Sequence, residues 1–283
     1  MLLILNSNPP RFRSIFRILL DIFFWVAAVA LALWVQRPWA SVLAVLWIGA
    51  FPMHDILLHG HEGTHRLLSP NAKLNGFLTW FSHALVGISG SAYRSFHLDH
   101  HAFAQTPKDP EYQMISRVAP GAPGWAFLGI PILSHLFVNS YPARCKSSIS
   151  LRRKVLRDLM GAALFHLVLG YILGLHLYLC FVFAPIVTSL SAALIVQSLC
   201  EHHGVHAEGH WRNTRGMVTN RALQFLWSNV NHHLEHHLYP FVPHYQLPKL
   251  REQLAKTYQE KGSVIDRGYL RTAWRLLWEP KHF

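Results

Sequence analysis

The chain has 283 residues, of which 51% are hydrophobic and 14% are charged, against about a quarter charged in an ordinary soluble domain. This composition argues against a disordered chain and against an ordinary cytosolic enzyme. The three cysteines (Cys145, Cys180 and Cys200) have no CxxC spacing, which argues against a disulfide framework, a zinc finger or a thiolate-bound iron–sulfur cluster. The formal net charge of +12 invites a nucleic-acid interpretation, which the placement of the charges along the chain removes.

Two long apolar regions predict two transmembrane hairpins. Residues 159–200 contain no Asp, Glu, Lys or Arg, and as one helix they would measure about 63 Å, twice the roughly 30 Å hydrocarbon core of a bilayer. We therefore predict two spans there, at about 159–177 and 180–199. A second pair, at about 18–35 and 39–58, is divided by an Arg-Pro pair whose shortness requires antiparallel helices.

Three other segments are predicted to lie at the membrane surface. The apolar stretches 74–88 and 125–138 are short for a span and contain polar groups, so we interpret them as interfacial or re-entrant helices. Residues 249–283 are interpreted as a basic amphipathic helix. The turn of the later hairpin is expected between Gly174 and Cys180.

The distribution of basic residues predicts the orientation. With two hairpins, segments 1–17, 59–158 and 201–283 share one side and carry 3, 11 and 11 of the 26 Lys and Arg residues, which leaves only Arg37 opposite. The positive-inside rule places that side, with both termini, in the cytoplasm. The predicted fold is an all-α integral membrane protein of one domain over 1–283, with a cytoplasmic helical cap from 59–158 and 201–283. The positive charge then reflects topology, and no nucleic-acid partner is predicted.

Three histidine clusters have the spacing of metal ligands on helices. In HEGTH two histidines are separated by four positions, and in HLDHH and HLEHH the histidines stand at i, i+3 and i+4, on one helical face. A fourth feature, Glu201-His202-His203, ends the last apolar span. The clustered histidines are His61 and His65; His97, His100 and His101; and His233, His236 and His237. The predicted topology places all of them on the cytoplasmic side.

The number of imidazoles indicates two metal ions. A catalytic zinc ion needs about three protein ligands, whereas the clusters offer eight imidazoles before His202 is counted. Imidazole also suits iron, copper and nickel, and zinc has no redox chemistry. An apolar protein with a nitrogen-rich two-metal site fits activation of O₂ against C–H bonds. The alternative is a membrane zinc peptidase, in which HEGTH would act alone with Glu62 as the general base.

The three boxes, in this order, resemble those of the membrane fatty acid desaturase superfamily. Its pattern is HxxxH or HxxxxH, then HxxHH, then a second HxxHH after a membrane hairpin. Tyr93-Arg94, Asp109-Pro110-Glu111 and the run from Asn231 to Leu250 resemble the bacterial branch. The resemblance covers about residues 45–260.

The resemblance implies four transmembrane helices below a cytoplasmic helical cap that holds a di-iron site. The implied ligands to the two Fe ions are His61, His65, His97, His100, His101, His202, His233, His236 and His237. His203 is an alternative to His202. Because neutral imidazoles leave the metal charge uncompensated, we expect carboxylates and their arginine partners next to the ligands. The candidates are Glu62, Asp99, Glu201, Glu235, Arg94 and Arg215.

The implied activity is O₂-dependent desaturation of an acyl or lipid chain. A hydroxylase or ketolase of a lipid, alkane or carotenoid would use the same boxes, so this alternative stays open beside the zinc peptidase. The sequence contains no dinucleotide fingerprint and no haem or iron–sulfur motif. We therefore expect a separate electron carrier, of the ferredoxin, rubredoxin or cytochrome b5 type. The expected location is a bacterial cytoplasmic membrane.

Overall fold

The computed structural model describes residues 12–118, 131–205 and 209–278 and is mainly helical. Four of its helical segments are long and apolar enough to cross a membrane, counted over those residues. They are Arg13–Val35, Pro38–Thr64, Ile149–Leu173 and Leu175–His202. The described chain divides into two compact units, which we call the span unit (within residues 9–95 and 132–192) and the histidine unit (within residues 96–131 and 193–283).

The helices are numbered here in chain order, and short π-helical stretches interrupt two of the spans. The α-helices are α1 (Arg13–Val35), α2 (Pro38–Ile48), α3 (His54–Thr64), α4 (Ala72–Ala84), α5 (Gly90–Phe103), α6 (Pro110–Val118), α7 (Pro131–Arg144), α8 (Ile149–Leu173), α9 (Leu175–Tyr178), α10 (Ala184–Ala193), α11 (Arg221–Leu226), α12 (His233–Leu238), α13 (Leu247–Lys261) and α14 (Tyr269–Trp278). The π-helical stretches are Gly49–Met53, Leu179–Phe183 and Leu194–His202, and a 3₁₀ turn covers His244–Gln246. Two strands, β1 (Arg215–Val218) and β2 (Val264–Arg267), complete the elements.

The first hairpin turns at the predicted Arg-Pro pair. Helix α1 ends at Gln36, which has a left-handed backbone (φ 51°), and Pro38 then begins α2, where its missing N–H costs no hydrogen bond. Within the span unit, Arg17 of α1 donates from Nε to Asp55 Oδ2 of α3 at 2.7 Å. This part-buried ion pair ties the first span to α3 within the second span.

The spans are longer than the apolar runs predicted from the sequence. The second continues from about 58 to Thr64, so the first histidine box lies on the same helix. The third begins at Ile149 instead of about 159, since Ser148 caps the helix by accepting a hydrogen bond from Leu151 N at 3.2 Å. It turns at Gly174, whose φ of 75° favours glycine, within the predicted turn region. Hydropathy finds only the part of a helix that is apolar, which explains these differences.

The prediction of one surface helix over 249–283 is wrong. Helix α13 ends at Gly262 (φ 65°), strand β2 follows, and Gly268 (φ 78°) precedes α14. Strand β2 pairs in parallel with β1, with Arg215 opposite Val264 and Met217 opposite Asp266. The all-α prediction therefore missed a small sheet whose strands are far apart in the chain. The expected helix at 74–88 corresponds to α4. Part of the 125–138 helix lies in α7, and its residues 125–130 lie outside the described residues.

Close packing of α3 on α4 depends on two glycines of the first histidine box region. A Cβ on Gly63 would lie 2.1 Å from Thr79 Oγ1, and one on Gly60 would lie 2.7 Å from His83 Cε1. Asn75 Nδ2 also donates to the carbonyl oxygen of Gly63 at 2.9 Å. The backbone beside His61 is thus held directly against α4.

We expect Gly63→Ala to destabilise the detergent-purified protein by about 1–3 kcal/mol, because the added methyl group overpacks the α3–α4 contact. Thermal unfolding would measure the change. Gly76→Ala is the matched control, since Gly76 lies inside α4 and a methyl group added there would have no neighbouring atom within 4 Å, and alanine favours the helix. Equal melting temperatures for the two variants would contradict this account of the packing.

Candidate metal centre

The histidine unit brings seven of the nine predicted ligands together. Helix α5 supplies three rings, α12 supplies three, and His202 stands at the end of the π-helical stretch Leu194–His202. Ser89 Oγ accepts a hydrogen bond from Ala92 N at 3.1 Å, which caps the start of α5. The rings form two groups, which we call centre 1 (His97, His101 and His236) and centre 2 (His100, His202, His233 and His237).

Centre 1 is built by the i, i+4 pair of α5 and one ring of α12. His101 Nε2 lies 2.9 Å from His97 Nε2 and 3.1 Å from His236 Nε2. The candidate ligand nitrogens of all three residues lie within 4.8 Å of one another. His97 and His236 are buried, and their rings are nearly parallel with centroids 6.1 Å apart.

Centre 2 is built by the i, i+4 pair of α12, one ring of α5 and the ring of His202. His233 Nε2 lies 2.9 Å from His202 Nε2 and 3.1 Å from His237 Nε2. The candidate ligand nitrogens of His100, His202 and His237 lie within 4.8 Å of one another. His202 therefore stands among these rings. Each HxxHH box contributes to both centres.

The two centres are adjacent, and their nitrogens cannot satisfy one another. His101 of centre 1 stacks on His237 of centre 2 with centroids 4.2 Å apart. His101 Nε2 faces two other ring nitrogens, as does His233 Nε2, yet such an atom carries either one N–H or one lone pair. One contact in each group is therefore unmatched. A cation that accepts every lone pair removes this conflict, so both donor sets fit a bound metal ion.

The distances between ring nitrogens within each centre also fit the binding of one metal ion by neighbouring rings. With metal–imidazole bonds of about 2.1 Å, ligands at right angles stand about 3.0 Å apart and tetrahedral ligands about 3.4 Å apart. The observed separations are 2.9–3.1 Å. Both nitrogens of each pair are therefore close enough to bind one metal ion. The histidine clusters are thus compatible with a pair of transition-metal ions.

A carboxylate that was not among the candidates from the sequence holds His100. Asp109 Oδ1 lies 3.0 Å from His100 Nδ1 and accepts a hydrogen bond from Glu111 N at 2.8 Å. Because a carboxylate only accepts, Asp109 holds a proton on His100 Nδ1, which leaves Nε2 as the nitrogen that would face a metal. Burial lowers the pKa of His100, but Asp109 and Glu111 outweigh it and raise that pKa to about 9. The pocket therefore stabilises positive charge. The sequence analysis used Asp109-Pro110-Glu111 only for the family resemblance; by itself an Asp-Pro pair is typical of a helix start and does not indicate a contact with His100.

Glu201 lies behind centre 2, where the sequence analysis expected it. Its Oε2 stands 3.3 Å from His233 Nδ1, and its Oε1 accepts a hydrogen bond from Tyr269 at 2.8 Å. Arg215 was expected beside one of the predicted carboxylates, and its positive charge acts on Glu201. Its Nη1 donates to the carbonyl oxygen of Cys200 at 2.6 Å, and its Nε pairs with Asp266 at 2.9 Å. The β1–β2 pairing brings Arg215 and Asp266 together.

Glu235 is buried on α12, but its carboxylate contacts other groups than the rings of the two centres. Its Oε1 accepts a hydrogen bond from Tyr258 at 2.6 Å and lies 3.7 Å from Arg251 Nε. Its Oε2 lies 3.9 Å from Nδ1 of His232, a buried residue outside both centres. Burial lowers the pKa of His232 to about 3, so that ring is neutral at physiological pH.

The first histidine box belongs to the span unit. His61 on α3 and His65 at its C-terminal cap have ring centroids 5.5 Å apart, so the two rings are neighbours. Burial, with smaller effects of His61 and Arg94, lowers the pKa of His65 to about 2, which keeps the ring neutral as a ligand requires. Glu62 is buried beside them, whereas Asp99 on α5 is half-buried. Arg94 lies near Arg66, which together with burial lowers its pKa.

We expect Asp109→Asn to weaken metal binding by about tenfold or more, because an amide cannot fix the Nδ1–H tautomer of His100 as strongly as a carboxylate. Competition against a chromogenic chelator would measure the affinity. Glu252→Gln makes the same chemical change at an exposed position of α13 and should leave the affinity unaltered. An Asp109→Asn protein with unchanged affinity would contradict the assignment of this carboxylate.

Comparison with known proteins identifies the family. Residues 37–269 match the model of the family described as fatty acid desaturase. The human sphingolipid delta(4)-desaturase/C4-monooxygenase is 23% identical over 88% of this chain and 77% of its own length. The dihydrorhizobitoxine desaturase of Bradyrhizobium elkanii is 28% identical over 88% of this chain and 74% of its own length.

A plant relative shows the same extent of similarity. The endoplasmic reticulum omega-3 fatty acid desaturase of Vigna radiata var. radiata is 24% identical over 88% of this chain and 74% of its own length. The family match contains all three histidine boxes and most of the apolar helices. It also assigns HEGTH to a desaturase chain, which removes the basis for a zinc peptidase. The chain belongs to the fatty acid desaturase family and is an oxidoreductase of the desaturase class.

Proposed function

We propose that this protein is a membrane di-iron desaturase that uses O₂ to introduce a C=C bond into the acyl chain of a lipid. The observation that supports it most is the presence of two groups of converging imidazole nitrogens in a chain of this family. The relatives named for sphingolipid, fatty acid and acyl-lipid substrates have an acyl chain in common, whereas the dihydrorhizobitoxine desaturase is named for a different compound.

The proposed ligand set contains all nine histidines of the family pattern. Seven stand in centres 1 and 2 of the histidine unit. His61 and His65 are added on the resemblance to the family, and their neighbouring rings within the span unit are consistent with a shared metal. Asp109 and Glu201 would fix the tautomers of His100 and His233.

Iron fits the chemistry better than zinc, because activation of O₂ needs a redox metal. Removal of two hydrogens from the substrate accounts for two of the four electrons that reduce O₂ to two waters. Two further electrons and two protons must come from outside, and we propose a separate carrier of the ferredoxin, rubredoxin or cytochrome b5 type. The side chains of the two centres would hold and orient the metal ions in a largely buried pocket lined by histidines.

We propose that the whole chain forms one functional domain, since the family match runs through parts of both structural units. The proposed topology keeps both termini and the segments 59–158 and 201–283 in the cytoplasm, as a cap that carries the active site. The bias of Lys and Arg toward these segments supports this orientation. A bacterial cytoplasmic membrane is the proposed location.

Metal analysis of the iron-supplied, detergent-purified protein should give about two irons per chain. His100→Ala and His236→Ala, which remove one ring from each centre, should each lower this value because a metal loses an essential ligand. His210→Ala is the control, since this exposed histidine of the same unit lies outside both centres. About one zinc per chain that survives both substitutions would contradict the di-iron assignment.

Product mass should identify the reaction. With an electron carrier, NAD(P)H-driven reductase and O₂, we expect an acyl substrate to lose two hydrogens, and omission of the carrier should abolish turnover. The relative named desaturase/C4-monooxygenase favours a hydroxylase as the second candidate function. That candidate predicts a gain of one oxygen by the same substrate. Product formed at an unchanged rate without the carrier would refute the proposed electron source.

A further inference from the structure

Two buried tyrosines bind glutamates close to the histidine boxes, and neither tyrosine was a candidate from the sequence. Tyr269, the first residue of α14, donates to Glu201 Oε1 at 2.8 Å. Tyr258 on α13 donates to Glu235 Oε1 at 2.6 Å. Both tyrosines are buried to a similar degree, with 6% and 5% of their surface exposed. The two hydrogen bonds are therefore chemically alike, and they differ in what the glutamate contacts next.

Only the Tyr269 bond leads to a ring of centre 2. The other oxygen of Glu201 lies 3.3 Å from His233 Nδ1. On the far side of that ring, Nε2 lies 2.9 Å from His202 Nε2 and 3.1 Å from His237 Nε2. The hydroxyl donates to the carboxylate, and the carboxylate lies against the imidazole whose Nε2 faces other rings of centre 2. The carboxylate bound by Tyr258 lies near Arg251 and His232 instead, away from both centres.

The backbone around Tyr269 is fixed to the same stretch that carries Glu201. Cys200 Sγ lies 3.8 Å from the carbonyl oxygen of Tyr269, to which it donates. Thr214 Oγ1 donates to the carbonyl oxygen of Glu201 at 3.1 Å. Burial and the adjacent Glu201 raise the pKa of Tyr269 well above its usual value, so the hydroxyl keeps its proton. Tyr269 is therefore a fixed donor to a fixed carboxylate.

We propose that Tyr269 is a positioning residue for centre 2. Its hydroxyl fixes the carboxylate of Glu201, which holds the Nδ1–H of His233 and so aims Nε2 at the metal. This inference depends on the proposed function only in requiring that centre 2 binds a metal. It extends the metal centre to the C-terminal helix α14, which follows the last histidine box.

The test compares Tyr269→Phe with Tyr258→Phe in the full-length, detergent-purified protein, with Co²⁺ as the metal probe. Both variants lose one buried tyrosine–carboxylate bond, so the metal-free proteins should lose similar amounts of thermal stability. Only Tyr269→Phe should bind Co²⁺ about tenfold more weakly and show altered visible absorption, because only there is a ligand misaligned. Equal spectra and affinities for the two variants would overturn the inference.

A double-mutant cycle with Glu201→Gln tests whether Tyr269 acts on centre 2 through Glu201. If Tyr269 acts through Glu201, the effects of Tyr269→Phe and Glu201→Gln on Co²⁺ affinity should not add, whereas additive effects would overturn the inference. If Tyr269→Phe does not fold, Glu201→Gln alone should still alter the Co²⁺ spectrum, and an unchanged spectrum would overturn it. Wild type that binds no Co²⁺ would also overturn it. Wild type that binds Co²⁺ but desaturates no substrate would refute the proposed function and leave the positioning role in place.

Discussion

Seven imidazole rings in one unit face one another through their nitrogens, and this arrangement needs a positive charge between them. His101 and His233 each face two other ring nitrogens with only one site to offer. Without a cation, lone pairs would oppose one another in a buried place where water cannot solvate them. The residues around these rings hold them in place and balance the positive charge of a cation between them.

The balance comes from carboxylates one layer away from the metal-facing nitrogens. Asp109 and Glu111 lie at His100, and Glu201 lies at His233. Placing the negative charges on the far side of the rings leaves the metal-facing positions to neutral nitrogen ligands. The same contacts fix which ring nitrogen carries the proton. Charge compensation and ligand orientation are therefore performed by the same residues.

The sequence predicts those parts of the site that depend on local spacing. The i, i+3, i+4 pattern identifies both HxxHH boxes, and the length of the apolar stretches identifies the four spans. Both properties depend only on residues within a few turns of the same helix. The pattern does not reveal that the i, i+4 pair and the i+3 ring belong to different centres. That division depends on contacts such as His101 with His236, which are 135 positions apart.

Other partners were missed for the same reason. Tyr269 and Glu201 are separated by 68 positions, and nothing near either residue indicates the other. Strands β1 and β2 pair although α12 and α13 lie between them in the chain. Local spacing does not indicate such a pairing, and the C-terminal region was therefore predicted to be one helix. Asp109 stood out in the sequence only within a motif of the family resemblance, and that motif does not indicate the contact with His100.

Each HxxHH box supplies rings to both centres, and this sets the order in which the two centres can be assembled during biosynthesis. Chains emerge from the ribosome N-terminus first, and α5 is made long before α12. Because α5 supplies two of the three rings of centre 1 and one of the four rings of centre 2, neither site is complete in the nascent chain until α12 is made. Tyr269, proposed to support centre 2, emerges later still. Under the proposed function, metal loading therefore follows synthesis of the whole chain, and a product that ends before α12 lacks the rings that would retain the metal ions.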